Sequence, residues 1–431
     1  MQAGVRSERG YDRSVAGVLI SVFAAGAAAV GGVTALGKLV YDMTHSTLAL
    51  GLLGLAEFAP AALLVLVTGS VADRFDKRKV SVAGILAEAS AAVLLAIYAL
   101  SKPTSTLPIF GLVVVFGIGR AFTAPATRAL PSSIMRAEDL PWLVARFSAT
   151  WQAALIVGPV LAGFLYAVDP ALPFGGMAAL LAVAGIAIMF VRADAARAQP
   201  PGPPPAPSLV AAEAEPPVLE PPAGVHDAVE GLRFVRRQPV LFGAISLDLF
   251  AVLFGGAVAL LPAIADDRLH TGAVGLGWLR AAGGIGAALM TVVLARRPLT
   301  RRVGRRLLLV VAVFGVFTML LGVTHSYVIA FAAMFVLSAA DAVSVFIRAT
   351  LVPLATPEAM RGRVFAVENV FIGASNELGA FESGVAAQLL GTAAAVTLGG
   401  AATLAVAGSW WFLFPALRDV DGFPDDAGLH V

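Results

Sequence analysis

Long uninterrupted runs of apolar residues recur along almost the whole chain, and they limit its possible folds more than any other feature. A helix needs roughly 20 apolar residues to cross a hydrocarbon layer about 30 Å thick. Because the runs are continuous and do not alternate with polar residues, helices are expected rather than a β-barrel. The sequence therefore predicts an all-α membrane protein with twelve transmembrane helices, at 15–41, 47–72, 79–101, 107–133, 143–168, 171–192, 239–265, 272–295, 306–324, 327–353, 364–391 and 393–417.

Composition excludes the common soluble classes of protein. Hydrophobic residues make up 58% of the chain and charged residues 13%, whereas soluble domains have about 45–50% and about 25%. The sequence contains no Cys, which excludes a disulfide framework, a cysteine nucleophile and a thiolate metal site. The net charge of +2 gives no general attraction to nucleic acid. Neither a cofactor nor a metal is expected.

A proline-rich segment divides the predicted helices into six plus six. Residues 193–224 contain ten of the 26 prolines, which is typical of an extended linker. The next residues, to 238, have apolar side chains at helical spacing and predict a short amphipathic helix on the inner membrane surface. We expect an N-terminal six-helix bundle at 1–192, a cytoplasmic linker with that helix at 193–238, and a second six-helix bundle with a short tail at 239–431.

The two halves also share features at a constant offset along the sequence. Gly158 and Gly163 fall on Gly379 and Gly384, and Arg120 falls on Asp341 at the same offset. A shared offset of this kind predicts two parallel repeats, which commonly form two bundles with a site near the bilayer midplane.

Basic residues predict the orientation of the chain in the membrane. With the N-terminus inside, the inner segments carry 22 Lys and Arg residues, whereas the outer loops carry only Lys102 and Arg268. Cytoplasmic loops are enriched in such residues. Both termini are therefore expected to be cytoplasmic.

The loop after the second span carries a recognisable motif. Residues 69–80 read GSVADRFDKRKV, with Gly69, Asp73, Arg74, Lys77 and Arg78 at a characteristic spacing. This pattern resembles the loop between helices two and three in the major facilitator superfamily, although Asp76 stands where that family usually has Gly. The resemblance implies two six-helix bundles, transport by alternating access, and a gating role for Asp73 and the basic residues that follow it.

A second motif lies in the fifth span, where residues 154–163 read ALIVGPVLAG. Gly158 and Pro159 remove one backbone donor and create a small-residue surface, so a packing kink is one interpretation. With Gly163, the motif is similar to one found in superfamily members that export by antiport, although Ala162 replaces one glycine. Segments 43–47, 230–239 and 356–384 resemble the branch that contains the bacterial enterobactin exporter and related drug-efflux proteins.

Ionisable residues inside the predicted spans are the candidates for chemistry. An isolated charge at mid-bilayer costs about 3 kcal/mol on insertion scales, so most such residues should face the bundle interior or water. In the tenth span Ser338, Asp341, Ser344 and Arg348 share one broad face. Interhelical hydrogen bonding and a transport cavity both fit these polar faces. The substrate or proton candidates are Glu57, Arg120, Asp248, Asp341, Asn376 and Glu377, with Arg120 a candidate counter-charge for Asp341.

These features indicate a secondary transporter. No complete G-x-x-x-x-G-K-[ST] phosphate loop is present, so ATP is not the expected energy source. The resemblance implies export of a small amphipathic, drug-like or siderophore-like molecule by proton antiport. Import or facilitated diffusion on the same fold is the alternative; an intramembrane enzyme or a receptor is a remote one. The expected partners are the substrate, protons and the bilayer. We expect a monomer in the cytoplasmic membrane of a bacterium.

Overall fold

The computed structural model describes residues 2–128, 130–135, 139–191 and 225–423. Side chains at 2–12, 65–67, 69–70, 72–73, 128, 132–133 and 225–228 are outside this description, as is the predicted linker 193–224. The first half of the described chain forms seven helices: α1 (Gln2–Thr44), α2 (Thr47–Arg74), α3 (Lys77–Leu100), α4 (Leu107–Arg128), α5 (Leu130–Ile134), α6 (Leu140–Val168) and α7 (Leu172–Met189).

The second half of the described chain is also helical. It contains α8 (Val225–Arg237), α9 (Pro239–Phe254), α10 (Leu261–Ala263), α11 (Gly272–Arg296), α12 (Val303–Val323), α13 (Tyr327–Leu354), α14 (Arg361–Leu390), α15 (Thr392–Leu413) and α16 (Pro415–Arg418). The chain between 256 and 268 is a 3₁₀ helix, Gly256–Leu260, followed by α10 and a π-helix, Ile264–Arg268. A third short helix, Glu358–Met360, precedes α14.

Most of the predicted spans coincide with one of these helices. Within the described residues, eleven helical segments are long and apolar enough to cross a bilayer. The remaining predicted span, 364–391, which is the eleventh in sequence order, is the 30-residue α14. Its length of about 45 Å is sufficient to cross the membrane, but its carboxylates make it more polar than the others. The all-α architecture predicted from the sequence is confirmed.

The seventh span is broken where the sequence predicted one continuous run at 239–265. The α-helical hydrogen bonding of α9 ends at Phe254, directly before Gly255 and Gly256, because glycine weakens a helix through its backbone entropy. Pro262 then removes another backbone donor. Short 3₁₀ and π-helical turns complete the crossing. A broken span of this kind exposes backbone groups inside a membrane protein, which is tolerated where they are buried in protein or line a cavity.

The described chain separates into two compact units. Unit 1 comprises the described residues within Met1–Leu39 and Ala56–Val210, and unit 2 comprises those within Val40–Leu55 and Ala211–Val431. In unit 1, α3 packs against α4 and α7; in unit 2, α12 packs against α13 and α15. These are the third, fourth and sixth spans of each half, so the two units repeat the same packing pattern.

Two glycines at equivalent positions in the two units make the same kind of close helix crossing. A methyl group on Gly158 would lie 2.7 Å from the carbonyl oxygen of Ala27 and 3.2 Å from the nitrogen of Gly31, so α6 crosses α1 backbone to backbone. A methyl group on Gly379 would lie 2.8 Å from the carbonyl oxygen of Val252, so α14 crosses α9 in the same way. Gly379 and Val252 correspond to Gly158 and Gly31 at the same offset that the sequence showed between its two halves.

Residues 40–55, the end of α1 and the start of α2, belong to unit 2. The Tyr41 hydroxyl donates to the carboxylate of Asp267. The Ser46 hydroxyl donates to the side-chain oxygen of Gln388 at 3.1 Å, and the Thr47 hydroxyl donates to the Gly384 carbonyl at 3.1 Å. These contacts explain why the α1–α2 turn groups with the second half of the chain.

Helix α8 packs against protein through its apolar face. Val235 is fully buried in a cluster with residues of α9, α13 and α14. Glu230 forms an ion pair with Arg363 of α14 at 3.0 Å. The exposed residues of α8 include the basic pair Arg236 and Arg237.

The C-terminal segment caps the start of α12. The backbone N–H groups of Val303 and Gly304 donate to the carbonyls of Asp421 and Val420, at 3.2 and 3.0 Å. The N–H of Arg302 donates to the Asp421 carboxylate at 3.3 Å. The first N–H groups of a helix have no partner within the helix, so the C-terminal segment supplies acceptors that α12 lacks.

Candidate functional site

An ion pair inside unit 2 is the centre of the candidate site. Asp248 of α9 and Arg348 of α13 are joined by a contact of 2.8 Å between Oδ1 and Nη2. Their side chains are only 7% and 5% exposed. Apolar residues surround both: Ala244, Leu247 and Ala251 on α9 and Ile347 on α13 belong to one buried cluster. The pair is therefore held in a medium of low polarity.

Two further carboxylates belong to the same cluster. Asp341 lies seven residues before Arg348, which is about two turns and therefore the same face of α13. Glu368 lies on α14, which packs against α9. Both carboxylates interact electrostatically with Asp248 and with Arg348. Glu368 is 7% exposed, whereas Asp341 is partly buried.

The cluster contains more negative charge than its one guanidinium can balance. Three carboxyl groups, on Asp248, Asp341 and Glu368, accompany Arg348. Removing charges from water is unfavourable unless they are paired, so a surplus of carboxylates favours uptake of a proton or another cation by the group as a whole. Arg348 also has an unused donor, because its buried Nε has no hydrogen-bond partner among the described residues.

The sequence identified part of this cluster. Asp248 and Asp341 were candidates; the structure pairs Asp248 with Arg348 and places Asp341 on the same face of α13 as Arg348. Arg348 was placed on the polar face of its helix but was not a candidate, and Glu368 was missed. Glu368 lies nine residues before the candidate Glu377, which puts the two on opposite faces of α14. Glu368 could have been identified as a candidate because it is an ionisable residue inside the predicted span 364–391.

The other candidates on α14 lie away from that cluster. Asn376 is exposed and Glu377 is partly buried. A methyl group on Gly54 would lie 2.9 Å from Oε2 of Glu377, so this carboxylate contacts the start of α2 within unit 2. The structure therefore separates Glu377 from Glu368, although both are on one helix.

Unit 1 contains buried polar groups of its own. Arg120 of α4 is 9% exposed, and its Nε has no hydrogen-bond partner among the described residues. On α6, Gln152 is 7% exposed. Neither Nε2 nor Oε1 of its side-chain amide has a hydrogen-bond partner among the residues that the structure describes. Glu57 of α2 is partly buried. Arg120 belongs to unit 1 and Asp341 to unit 2, so their pairing stays a prediction.

The loop motif includes a helix cap that sequence reasoning missed. The surroundings of Gly69 and the side chain of Asp73 lie outside the described part of the chain. Asp76, which replaces the usual glycine, is the N-cap of α3, with extended φ and ψ of −60° and 116°. Its carboxylate accepts the backbone N–H of Arg78 at 2.9 Å and pairs with the Arg78 guanidinium at 3.2 Å. The hydrogen bond from Arg78 holds the pKa of Asp76 below its usual value.

Arg78 connects this cap to another helix of unit 1. Its Nη1 donates to the carbonyl of Val191, just after α7, at 2.8 Å. Arg74 is exposed and Lys77 is the first residue of α3. Because residue 76 has a negative φ, the turn does not require glycine; an aspartate, a preferred N-cap residue, is suitable there.

The comparisons with known proteins agree with this architecture. The profile of the Major Facilitator Superfamily matches residues 5–380. The chain belongs to this superfamily. It is therefore a multi-pass membrane protein of a transport family.

Curated proteins similar to this chain include enterobactin exporters. The chain is 27% identical over 329 residues to the enterobactin exporter EntS of Shigella flexneri, covering 75% of this chain and 72% of that protein. The identity to EntS of Escherichia coli SMS-3-5 is 26%, over 75% and 73% of the two chains.

Solved structures show the same fold at lower identity. A POT family transporter in complex with 5-aminolevulinic acid has a TM-score of 0.71 at 11% identity, over 94% of this chain and 96% of that one. A bacterial homolog of the human lysosomal transporter Spinster has a TM-score of 0.65 at 12% identity, over 95% and 96%. At this identity the likeness concerns the fold alone.

Proposed function

We propose that this superfamily member is a secondary active transporter that exports a small amphipathic, drug-like or siderophore-like molecule across the cytoplasmic membrane of a bacterium, driven by proton antiport. The observation that carries the proposal is the buried Asp248–Arg348 pair with its two additional carboxylates. Charged groups are expensive inside a membrane protein and usually mark a substrate or ion pathway. A cluster of this kind can bind and release a proton, as antiport requires.

The direction of transport and the class of cargo rest on the relatives. Both EntS proteins are exporters of enterobactin by name, and they match three quarters of this chain. The Gly158–Pro159 motif, with Gly163, supports the same direction through its resemblance to antiport exporters. Glu57, Arg120, Asn376 and Glu377 are proposed as substrate contacts, separate from the proton cluster.

The loop motif is proposed to gate the cycle. In this proposal Asp73, with Gly69 and the basic residues Arg74, Lys77 and Arg78, stabilises one state of the transporter on the cytoplasmic side. Replacing Asp73 with Asn should slow turnover more than substrate binding. Transport equal to that of the unchanged protein, at equal expression, would leave the loop with only a topological role.

Inside-out membrane vesicles test the proposed function. Their lumen corresponds to the outside of the cell, so an acidic lumen should drive accumulation of a cargo exchanged for protons. Enterobactin and a fluorescent lipophilic cation are suitable probes. We expect accumulation that a protonophore abolishes and that Asp248→Asn removes, whereas Asp419→Asn, at an exposed carboxylate, retains it.

Flux that is bidirectional and independent of the proton gradient would contradict antiport and indicate a uniporter. Accumulation driven by an alkaline lumen would instead indicate import by symport. Vesicles without the protein provide the background for both probes.

A further inference from the structure

Arg348 has a donor that the observed ion pair does not use. A guanidinium carries five N–H donors in a planar fork. Nη2 of Arg348 contacts Asp248, whereas the buried Nε lacks a partner within the described chain. The whole residue is only 4% exposed. An unsatisfied donor on a buried charged group is costly, so the site is built to present this N–H to another acceptor.

Glu368 is the acceptor that best fits this requirement. Its carboxyl group is on α14, it interacts electrostatically with both members of the ion pair, and it is 7% exposed. Asp341 also interacts with the pair, but it is partly exposed. Asp248 is as buried as Glu368 but is already paired with Arg348. Burial disfavours an unpaired carboxylate, so Glu368, which has no ion pair among the described residues, is the carboxyl group that we assign as the proton acceptor.

We propose that Arg348 is the exchangeable counter-ion of a proton-binding site whose proton acceptor is Glu368. When Glu368 holds the proton, Arg348 pairs with Asp248, the arrangement seen in the structure. When the proton leaves for water, the Glu368 carboxylate accepts the free Nε–H of Arg348. No covalent bond other than the O–H bond of Glu368 forms or breaks. This inference rests on the proposed function, because it names the residues that couple proton movement to transport.

Among the described residues, Asp248 of α9 and Arg348 of α13 act electrostatically on Glu368. Asp341 of α13 acts on the same ion pair. On α8, Glu230 is paired with Arg363 of α14. Helix α15 contains no ionisable residue, and Glu358 of the short helix before α14 is exposed. The protonation of Glu368 should therefore depend on its competition with Asp248 and Asp341 for the one guanidinium.

Infrared spectroscopy of the purified protein in lipid nanodiscs tests the assignment without a substrate. A neutral carboxylic acid has a carbonyl stretching band distinct from that of a carboxylate, and the band shifts in D₂O. At neutral pH we expect a band equivalent to one buried carboxylic acid, which disappears on titration to alkaline pH. Glu368→Gln should remove it completely. Glu382→Gln, at an exposed carboxylate on the same helix, should leave it unchanged.

Three results would overturn the proposal: no neutral-carboxyl band in the unchanged protein, a band that persists in Glu368→Gln, or a band that Asp341→Asn removes in its place. Arg348→Lys provides a second measurement if Glu368→Gln folds poorly. Lysine keeps the charge but lacks Nε–H, so the ionised state of Glu368 loses its partner and the titration should move to higher pH; an unchanged titration would contradict exchange.

The result is separable from the vesicle assay. A proton on Glu368 without gradient-driven transport would refute antiport and retain the site. Gradient-driven transport without a band from Glu368 would refute the site and retain antiport.

Discussion

At the residue scale, burial changes what an ion pair contributes. The exposed pair of Arg305 and Asp419, at 3.7 Å, has side chains 54% and 51% exposed, and such pairs typically contribute about 0–1 kcal/mol. Asp248 and Arg348 have almost no exposure. Breaking a buried pair leaves one charge without compensation, which typically costs about 3–5 kcal/mol.

We therefore expect Asp248→Asn and Arg348→Gln each to lower the free energy of unfolding by about 3–5 kcal/mol. The double variant should recover part of this loss, because it removes both members of the pair, whereas Asp341 and Glu368 still lose their guanidinium. Denaturant unfolding in a mild detergent, with Asp419→Asn as the control, measures these effects. Additive losses in the double variant would show that the two side chains do not act as a pair.

Helical periodicity could predict only part of this site. It put Asp341 and Arg348 on one face of one helix and marked Asp248 as a buried charge. The partner of Asp248 depends on how α9, α13 and α14 pack together, which periodicity within one helix does not contain. Glu368 was missed for the same reason: its importance comes from the packing of α14 against α9, and the close contact of Gly379 with Val252 that fixes this packing lies further along α14.

At the element scale, a capping carboxylate at Asp76 should make α3 sensitive to pH. Its folded-state pKa is below the ordinary value of 3.8, so the cap stabilises the protein fully above that ordinary value. The stabilisation is lost as the pH falls through the lowered folded-state pKa.

Asp76→Ala should therefore cost about 1 kcal/mol at neutral pH, and this difference should shrink below about pH 4. Asp76→Asn, which can still accept the N–H of Arg78, is the matched control and should lose less. Thermal unfolding at several pH values measures both. A difference between Asp76→Ala and the unchanged protein that grows toward acid pH would refute the sign of this dependence.

Close helix crossings predict a second effect at this scale. A methyl group on Gly379 would approach the backbone of α9 to 2.8 Å, whereas one on Gly408 of α15 would have nothing within 4 Å. Overpacking of this kind typically costs about 1–3 kcal/mol. Alanine in an open helical position is better than glycine by roughly 0.5–1 kcal/mol.

Gly379→Ala should thus lower the unfolding midpoint in detergent, and Gly408→Ala should leave it unchanged or raise it slightly. Equal shifts in the two variants would mean that α14 and α9 are not in close contact.

At the scale of the whole molecule, the order of the membrane spans was predictable from the sequence. The association of the α1–α2 turn with unit 2 was not. Hydropathy measures the length and apolarity of each run, and both properties follow from the thickness of the bilayer. The association of residues 40–55 with unit 2 depends on Tyr41, Ser46 and Thr47, whose hydrogen-bond partners all lie in the second half of the sequence. Polar residues at helix ends carry no signal of such distant partners.

The predicted orientation has a direct test, because the native chain contains no Cys. A cysteine at Pro204, in the predicted cytoplasmic linker, should not react with a membrane-impermeant thiol reagent in intact cells. One at Thr104, exposed between α3 and α4, should react. Labelling of Pro204→Cys from outside, without labelling of Thr104→Cys, would reverse the predicted topology.

The cap on α12 also has a consequence for biosynthesis. Arg302 and its acceptor Asp421 are 119 positions apart in the sequence, and the three spans α13, α14 and α15 lie between them. During translation the first turn of α12 therefore enters the membrane region without the acceptors that it has in the finished protein. Its N–H groups must be hydrated until residues 420 and 421 have been made. Unit 2 therefore acquires this cap only after α13, α14 and α15 have been synthesised.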